Sequence, residues 1–248
     1  MSADGRGGHR GSLVLVGLVA VVGTAVAWRF REHVTTRWED ADPLLWGCWI
    51  AMLLLVAPGA SRRDVPLAFV GLAGGVLIES WGTRAGLWTY FTGEQPPAFI
   101  LPAWPMAALA SHRLAALFEA RRSFATLVSA APYWIGSLGF LGLLLGWTLP
   151  GISHPLTWLA WLGIVLTIVL GDDRRADLRL FLAGTLVGFP LELWGTRHGC
   201  WAYWDGNAPP VASVLSHGFA TVAFSRGVAL LSSRSSARSM SPGEEVPS

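Results

Sequence analysis

The chain has 248 residues, of which 52% are hydrophobic and only 14% are charged, whereas a soluble domain usually carries about 25% charged residues. The net charge of +2 is too small to indicate a nucleic-acid-binding protein. Fourteen tryptophans stand against three tyrosines, and tryptophan is enriched at bilayer interfaces, where its ring is apolar and its N–H stays hydrated. This composition predicts a polytopic membrane protein.

Eight stretches with few or no charges are long enough to be membrane spans, which need about 20 apolar residues each. They are residues 11–28, 43–61, 65–83, the segment from the proline pair at 96–97 to about residue 115, two helices within 123–171 that separate at 148–155, and residues 178–196 and 209–230. The first stretch has an alternative interpretation as a cleaved signal peptide, because residues 25–27 read AVA. The Ser-rich segment 232–248 is predicted to be a disordered tail.

The arginines predict the orientation of these spans. All eighteen basic residues are arginine. If residues 1–11 are a cytoplasmic tail, thirteen arginines fall in cytoplasmic segments and five in outer segments. This asymmetry follows the positive-inside rule. We therefore expect both termini in the cytoplasm and the protein in a bacterial-type inner membrane.

One segment of the sequence occurs twice. Residues 79–97 read ESWGTRAGLWTYFTGEQPP and residues 192–210 read ELWGTRHGCWAYWDGNAPP, with eleven of nineteen positions identical. This ungapped repeat predicts two parallel four-helix units, residues 1–118 and 119–231, around a shared site. The same offset of 113 residues also pairs Gly71 with Gly184, Gly75 with Gly188, Asp64 with Asp177, and Arg113 with Arg226.

Each copy of the repeat begins with a carboxylate inside a predicted span. Glu79 and Glu192 each follow two glycines at four-residue spacing, so they extend a small-residue stripe on one helix face. Such a stripe is where a second transmembrane helix packs closely. A charged group at mid-membrane is costly, so we expect both carboxylates to face protein, in the outer third of the membrane.

The chemistry of these carboxylates stays open between two interpretations. A carboxylic acid kept neutral by apolar surroundings can donate a proton, and His217, predicted about 10 Å below the outer surface by helical rise, is a candidate acid–base partner. At the equivalent position the first copy has Trp104, whose ring could stabilise a cation. Alternatively, each glutamate only accepts hydrogen bonds from indole N–H groups or pairs with Arg84 or Arg197, and His217 only bonds a neighbour.

Other residues suggest structural roles. The GxWxY segments at 86–90 and 199–203 are typical of an aromatic interface belt followed by a helix start. Arg113 and Arg226 are predicted to reach cytoplasmic headgroups. Cys48 and Cys200 form no metal-like cluster, and helix packing is the simpler interpretation of both. We expect no metal and no cofactor, because the motifs of nucleotide-binding and metal-dependent enzymes are missing from the sequence.

The order of an intramembrane glutamate, a Gly-rich turn, an aromatic–Tyr pair and a Pro-led apolar helix resembles membrane-embedded carotenoid-biosynthesis proteins, namely the carotenoid hydratases and the small duplicated lycopene cyclases. The residues that carry the resemblance are Glu79, Gly82, Gly86, Trp88, Tyr90, Pro102 and Trp104, and again Glu192, Gly195, Gly199, Trp201 and Tyr203. The resemblance implies proton-initiated hydration or cyclisation of an isoprenoid lipid. Both glutamates would then be the acids, and His217 a base or a residue that positions water.

These observations predict one candidate site. The candidate catalytic residues are Glu79, Glu192 and His217, and the candidate substrate-binding residues are Trp88, Tyr90, Trp104, Trp201, Tyr203, Arg84 and Arg197. Two other functions stay open: a proton-coupled carrier of a small solute, and a non-catalytic membrane protein in which the repeats serve packing.

Overall fold

The computed structural model describes residues 43–120, 130–171, 173–206 and 209–239, and it is mostly helical. The helices are α1 (Pro43–Val56), α2 (Val65–Arg84), α3 (Ala103–Ala120), α4 (Ala130–Thr148), α5 (Pro155–Val169), α6 (Arg174–Arg197) and α7 (Val211–Ser239). Two short strands, β1 (Trp88–Tyr90) and β2 (Trp201–Tyr203), follow α2 and α6.

Four helical segments are long and apolar enough to cross a membrane: Arg62–Arg84, Pro132–Gly151, Arg174–Arg197 and Val211–Ser232. Residues Trp49–Gly59 and Pro155–Val169 form shorter apolar helices. The expectation of an all-α chain with transmembrane helices therefore holds in this coarse form. The predicted first span, 11–28, lies outside the described residues, and so do 1–42 as a whole and 240–248.

The centre of the fold is built from α2, α3, α6 and α7, which pack against one another, while α1 contacts α3 and α6, α4 contacts α6 and α7, and α5 contacts α7 and α2. Large apolar side chains on α4 and α5 face outward: Ile135, Leu138, Trp158 and Leu162 are all more than half exposed. So much exposed apolar surface on helices is typical of a lipid-facing surface and not of one in water.

The glycine stripes lie at the contacts between the central helices, as their spacing predicts. A Cβ atom on Gly71 would lie 3.0 Å from the Cβ of Ala108 in α3, and one on Gly75 would overlap the ring of Trp104. In the other half, Gly184 and Gly188 of α6 lie in the same way against α7. Because glycine has no side chain, the helices approach closely, and the next residue on each stripe is a buried glutamate.

The two strands were not predicted from the sequence. Their residues were interpreted instead as part of an aromatic interface belt. Gly86 (φ +71°) and Gly199 (φ +65°) adopt left-handed backbone conformations that end α2 and α6 and turn the chain back over each helix. The strands then pair antiparallel, with Trp88 opposite Tyr203 and Tyr90 opposite Trp201. Backbone hydrogen bonds between two such segments satisfy their polar groups, which a buried irregular loop would leave unpaired.

Arg113 and Arg226 were predicted to reach lipid headgroups, but each forms an ion pair within the protein. The two ion pairs lie towards the ends of the helices opposite to the two glutamates. Arg113 donates to Asp64 at 2.8 Å and also to the carbonyl of Gly59. Arg226 donates to Asp177 at 2.5 Å. A carboxylate within reach satisfies each guanidinium more strongly than a lipid phosphate that must be reached through solvent.

The first residues of the C-terminal segment 232–248 are helical and not disordered as predicted. Helix α7 runs to Ser239, so the helix continues into the segment 232–248 that the sequence predicts to be disordered. Because a helix hydrogen-bonds its backbone internally, α7 can continue beyond its apolar part without new packing partners.

Candidate functional site

Glu79 is buried in the last third of α2 and accepts three hydrogen bonds from aromatic side chains. Its Oε2 atom accepts from the indole N–H of Trp88 at 3.0 Å and from the hydroxyl of Tyr90 at 2.8 Å. Its Oε1 atom accepts from the indole N–H of Trp104 on α3 at 3.1 Å. Trp88 and Tyr90 reach it together because alternate residues of a strand point to the same side.

Glu192 in α6 has a matching set of partners. Its Oε2 atom accepts from the indole N–H of Trp201 at 3.1 Å and from the hydroxyl of Tyr203 at 2.7 Å. Its Oε1 atom lies 2.9 Å from Nε2 of His217 on α7. In both sites, the first two partners follow the glutamate by 9 and 11 residues and the third by 25 residues.

The two sites differ in one partner, and that difference decides what each can do with a proton. An indole N–H only donates, so Trp104 can neither take a proton from Glu79 nor give one up. An imidazole nitrogen donates or accepts according to its tautomer, so His217 can exchange a proton with Glu192. All three hydrogen bonds to Glu79 are donated to its carboxyl oxygens, so they stabilise the ionised form relative to the protonated form.

A stacked pair of rings joins the two sites. The rings of Trp104 and His217 lie with their centroids 5.4 Å apart and their planes 14° from parallel. Each ring also hydrogen-bonds its own glutamate through its edge. Glu79 and Glu192 are therefore the ends of one continuous array, and an imidazolium at His217 would lie against an indole face, a favourable cation–π contact.

The strand residues form a buried aromatic cluster above the carboxylates. Tyr90 packs against Trp201 with ring centroids 5.8 Å apart, and Trp88 packs against Tyr203 at 6.0 Å. Trp147 of α4 covers the Trp88–Tyr203 side. Burial, and next the charge of the neighbouring glutamate, raises the pKa of the Tyr90 and Tyr203 hydroxyls well above the ordinary value of tyrosine, so both phenols remain donors.

A small cavity of about 10 Å³ lies beside the stacked rings, between α3, α6 and α7. Trp104 and His217 form part of its wall, together with Ser111, Thr221 and Phe224. The volume is about that of one water molecule. Ser111 and Thr221 were missed in the sequence, although hydroxyl groups inside a predicted span are a signal that could have pointed to them.

The predicted substrate-binding residues do not all lie together. Trp88, Tyr90, Trp104, Trp201 and Tyr203 surround the two glutamates.

Arg84 and Arg197, in contrast, are exposed at the ends of α2 and α6. They are not among the hydrogen-bond partners of either glutamate in the described part of the chain. The alternative in which each glutamate pairs with the arginine five residues later is therefore wrong. The donors that the strands and α3 or α7 supply occupy the carboxylate oxygens, while each arginine follows the helix into the exposed turn.

Within the described ranges, no group of three or more His, Cys, Asp and Glu residues is arranged to hold a metal ion. Comparison of the chain with protein-family models, with curated proteins and with solved structures gives no match.

Proposed function

We propose that the protein is an integral membrane enzyme that adds a proton to a carbon–carbon double bond of an isoprenoid lipid, with Glu192 and His217 as the acid–base pair. The observation that carries the proposal is the 2.9 Å contact between Glu192 Oε1 and His217 Nε2. Through this contact a carboxyl group meets a side chain that can accept or donate a proton.

The proposal includes eight spans in two parallel four-helix repeats, with both termini in the cytoplasm of a bacterial-type cell. Three features support this layout. The contacts of Glu79 and Glu192 recur at the same sequence separations, the ion pairs Asp64–Arg113 and Asp177–Arg226 recur at the offset of 113 residues, and the arginine distribution follows the positive-inside rule.

In the proposed reaction, the carboxyl proton of Glu192 passes to one carbon of the double bond, which leaves a carbocation on the other carbon. The indole face of Trp104 would stabilise this cation. Addition of water followed by loss of its extra proton to His217 gives hydration, and attack by a second double bond followed by loss of a proton to His217 gives cyclisation. The resemblance to carotenoid hydratases and lycopene cyclases supports an isoprenoid substrate.

Glu79 has a different role in this proposal from the one the sequence suggested. Because its partners are donors, it holds a fixed negative charge near the stacked rings instead of acting as a second acid. A fixed carboxylate favours positive charge on His217 or on the substrate by electrostatic preorganisation.

The test is production of a modified lipid by cells that make a linear carotenoid and express this chain, with lipid extracts analysed by mass spectrometry. We expect Glu192→Gln and His217→Trp to lower product at least about 100-fold, the usual contribution of a general acid–base group. His198→Gln changes a histidine at the end of α6 whose Nδ1 lies 2.9 Å from the carbonyl oxygen of Trp194, so it should leave product unchanged. Indistinguishable extracts from cells with and without the wild-type chain would refute the enzyme.

The size of the cavity favours a second candidate. The cavity between the described helices has room for about one water molecule. A space of this size suits a proton-coupled carrier of a small solute better than an enzyme that must admit a lipid. A carrier predicts flux driven by a pH gradient in proteoliposomes that His217→Trp abolishes. A non-catalytic role predicts that these variants change only thermal stability.

A further inference from the structure

We propose that the cavity between α3, α6 and α7 is a binding site for one structural water molecule, and that this water is the proton-exchange partner of His217. The water site rests on the geometry of the cavity. Its role in renewing the proton of Glu192 rests on the proposed function.

The first argument is the fit of the space to water. The cavity measures about 10 Å³, close to the smallest volume that holds a water molecule. Apolar cavities of this kind stay empty, whereas polar ones with two or more hydrogen-bonding groups are occupied. The residues that line it include His217, Ser111 and Thr221, and most of the others are apolar.

The second argument is that polar atoms in this wall are left without a protein partner. The imidazole of His217 uses Nε2 for Glu192, and its Nδ1 atom has no hydrogen-bond partner among the residues that the structure describes. Ser111 is 1% exposed, and its hydroxyl likewise has no partner within those residues. Thr221 donates to the carbonyl of His217 at 3.0 Å and keeps its acceptor capacity. Polar groups that line a cavity and have no protein partner are commonly satisfied by water, so water is the expected partner.

The third argument comes from the other half of the chain. At an offset of 113 residues, His217 corresponds to Trp104, Thr221 to Ala108 and Ser111 to Phe224. The ring of Phe224 lies where a Cβ on Gly74 would fall, so an aromatic side chain fills that region. The space beside the stacked rings is therefore kept on the α6 side, where Gly184 and Val187 line it.

The water completes a balanced proton exchange. When Glu192 has given up its proton, the Nε2 proton of His217 moves to Glu192 Oε1. Nδ1 then takes a proton from the water, and the water takes the proton that the substrate cation or its attacking water loses. The imidazole stays neutral and changes only its tautomer, Glu192 is protonated again, and no net proton is consumed. The side chain of His217 is 17% exposed, so this exchange is not sealed from outside.

The experiment measures the water on purified protein without substrate. Infrared spectra in H₂¹⁶O and H₂¹⁸O identify the O–H stretch of a buried water, and ¹⁵N-histidine NMR gives the rate at which the His217 ring proton exchanges with D₂O. Thr221→Val keeps the shape of the side chain and removes its hydroxyl, and Ser111→Ala removes the second hydroxyl. Thr167→Val is the matched control, because Thr167 is a partly exposed threonine away from the cavity, and its hydroxyl also donates to a carbonyl in its own helix, at 2.8 Å.

We expect the wild type and Thr167→Val to show the isotope-sensitive band, and the double variant Ser111→Ala/Thr221→Val to lose it and exchange the ring proton at least tenfold more slowly. The inference is overturned if the wild type has no such band, or if the double variant keeps both band and exchange rate. If the purified protein shows the band but cells that express it make no modified lipid, the water site stands and the proposed enzyme is refuted. The failure of the water site and the failure of the proposed function are therefore distinguishable.

Discussion

Replacing each glutamate with glutamine should destabilise the two sites unequally. In Glu79→Gln, the remaining oxygen can take the place of Oε2 and accept from Trp88 and Tyr90. The new NH₂ group then faces the indole N–H of Trp104, so two buried donors meet and neither has an acceptor. In Glu192→Gln, the NH₂ group faces Nε2 of His217, which accepts when the ring proton lies on Nδ1.

The difference between the variants is therefore the cost of an unsatisfied buried donor, about 1–3 kcal/mol. For a chain of this length, 1 kcal/mol corresponds to about 2–4 °C in melting temperature. We expect Glu79→Gln to melt roughly 5 °C below Glu192→Gln.

Unfolding in detergent, followed by intrinsic tryptophan fluorescence, measures this difference. Glu94→Gln changes an exposed carboxylate and should match the wild type. The double variant Glu79→Gln/Trp104→His supplies the missing acceptor and should recover most of the loss. Equal melting temperatures for the two glutamine variants, or no recovery in the double variant, would refute the assignment of Trp104 as an obligate donor to a charged Glu79.

Two further predictions concern packing and reactivity. Gly82→Ala and Gly195→Ala should each lower the free energy of unfolding by about 1–3 kcal/mol in chemical denaturation, because the added methyl overlaps the rings of Trp88 and Trp201. Gly163→Ala, with open space around it, should be neutral or stabilising, and equal effects at all three glycines would contradict the packing. In a Cys48→Ala background, Cys200 should react slowly with maleimide at pH 8, because burial raises the pKa of its thiol to about 11 and leaves about one thiolate per thousand molecules. The rate should rise about tenfold per pH unit up to that pKa, and a fast, pH-independent reaction would contradict the burial.

Much of the site could be predicted from the repeat alone. The repeat named Glu79 and Glu192 and their aromatic neighbours, and the contrast between Trp104 and His217 marked where the halves differ. The pairing of Asp64 with Arg113 and of Asp177 with Arg226 was visible as matched positions but was interpreted as contact with lipid. An aligned register shows that two residues have equivalent places, and it does not show which partner each one reaches.

The sequence by itself determined the apolar character of the helices, the glycine stripes and the burial of the two glutamates, because helical periodicity and the cost of a charge in lipid act locally along each helix. Only the tertiary structure decided that the strands β1 and β2 pair across the halves, that Trp104 stacks on His217, and that Ser111 from α3 meets Thr221 from α7 at one cavity. These contacts join segments about 100 or more residues apart, and such separations are fixed by how whole helices pack, which no local pattern records.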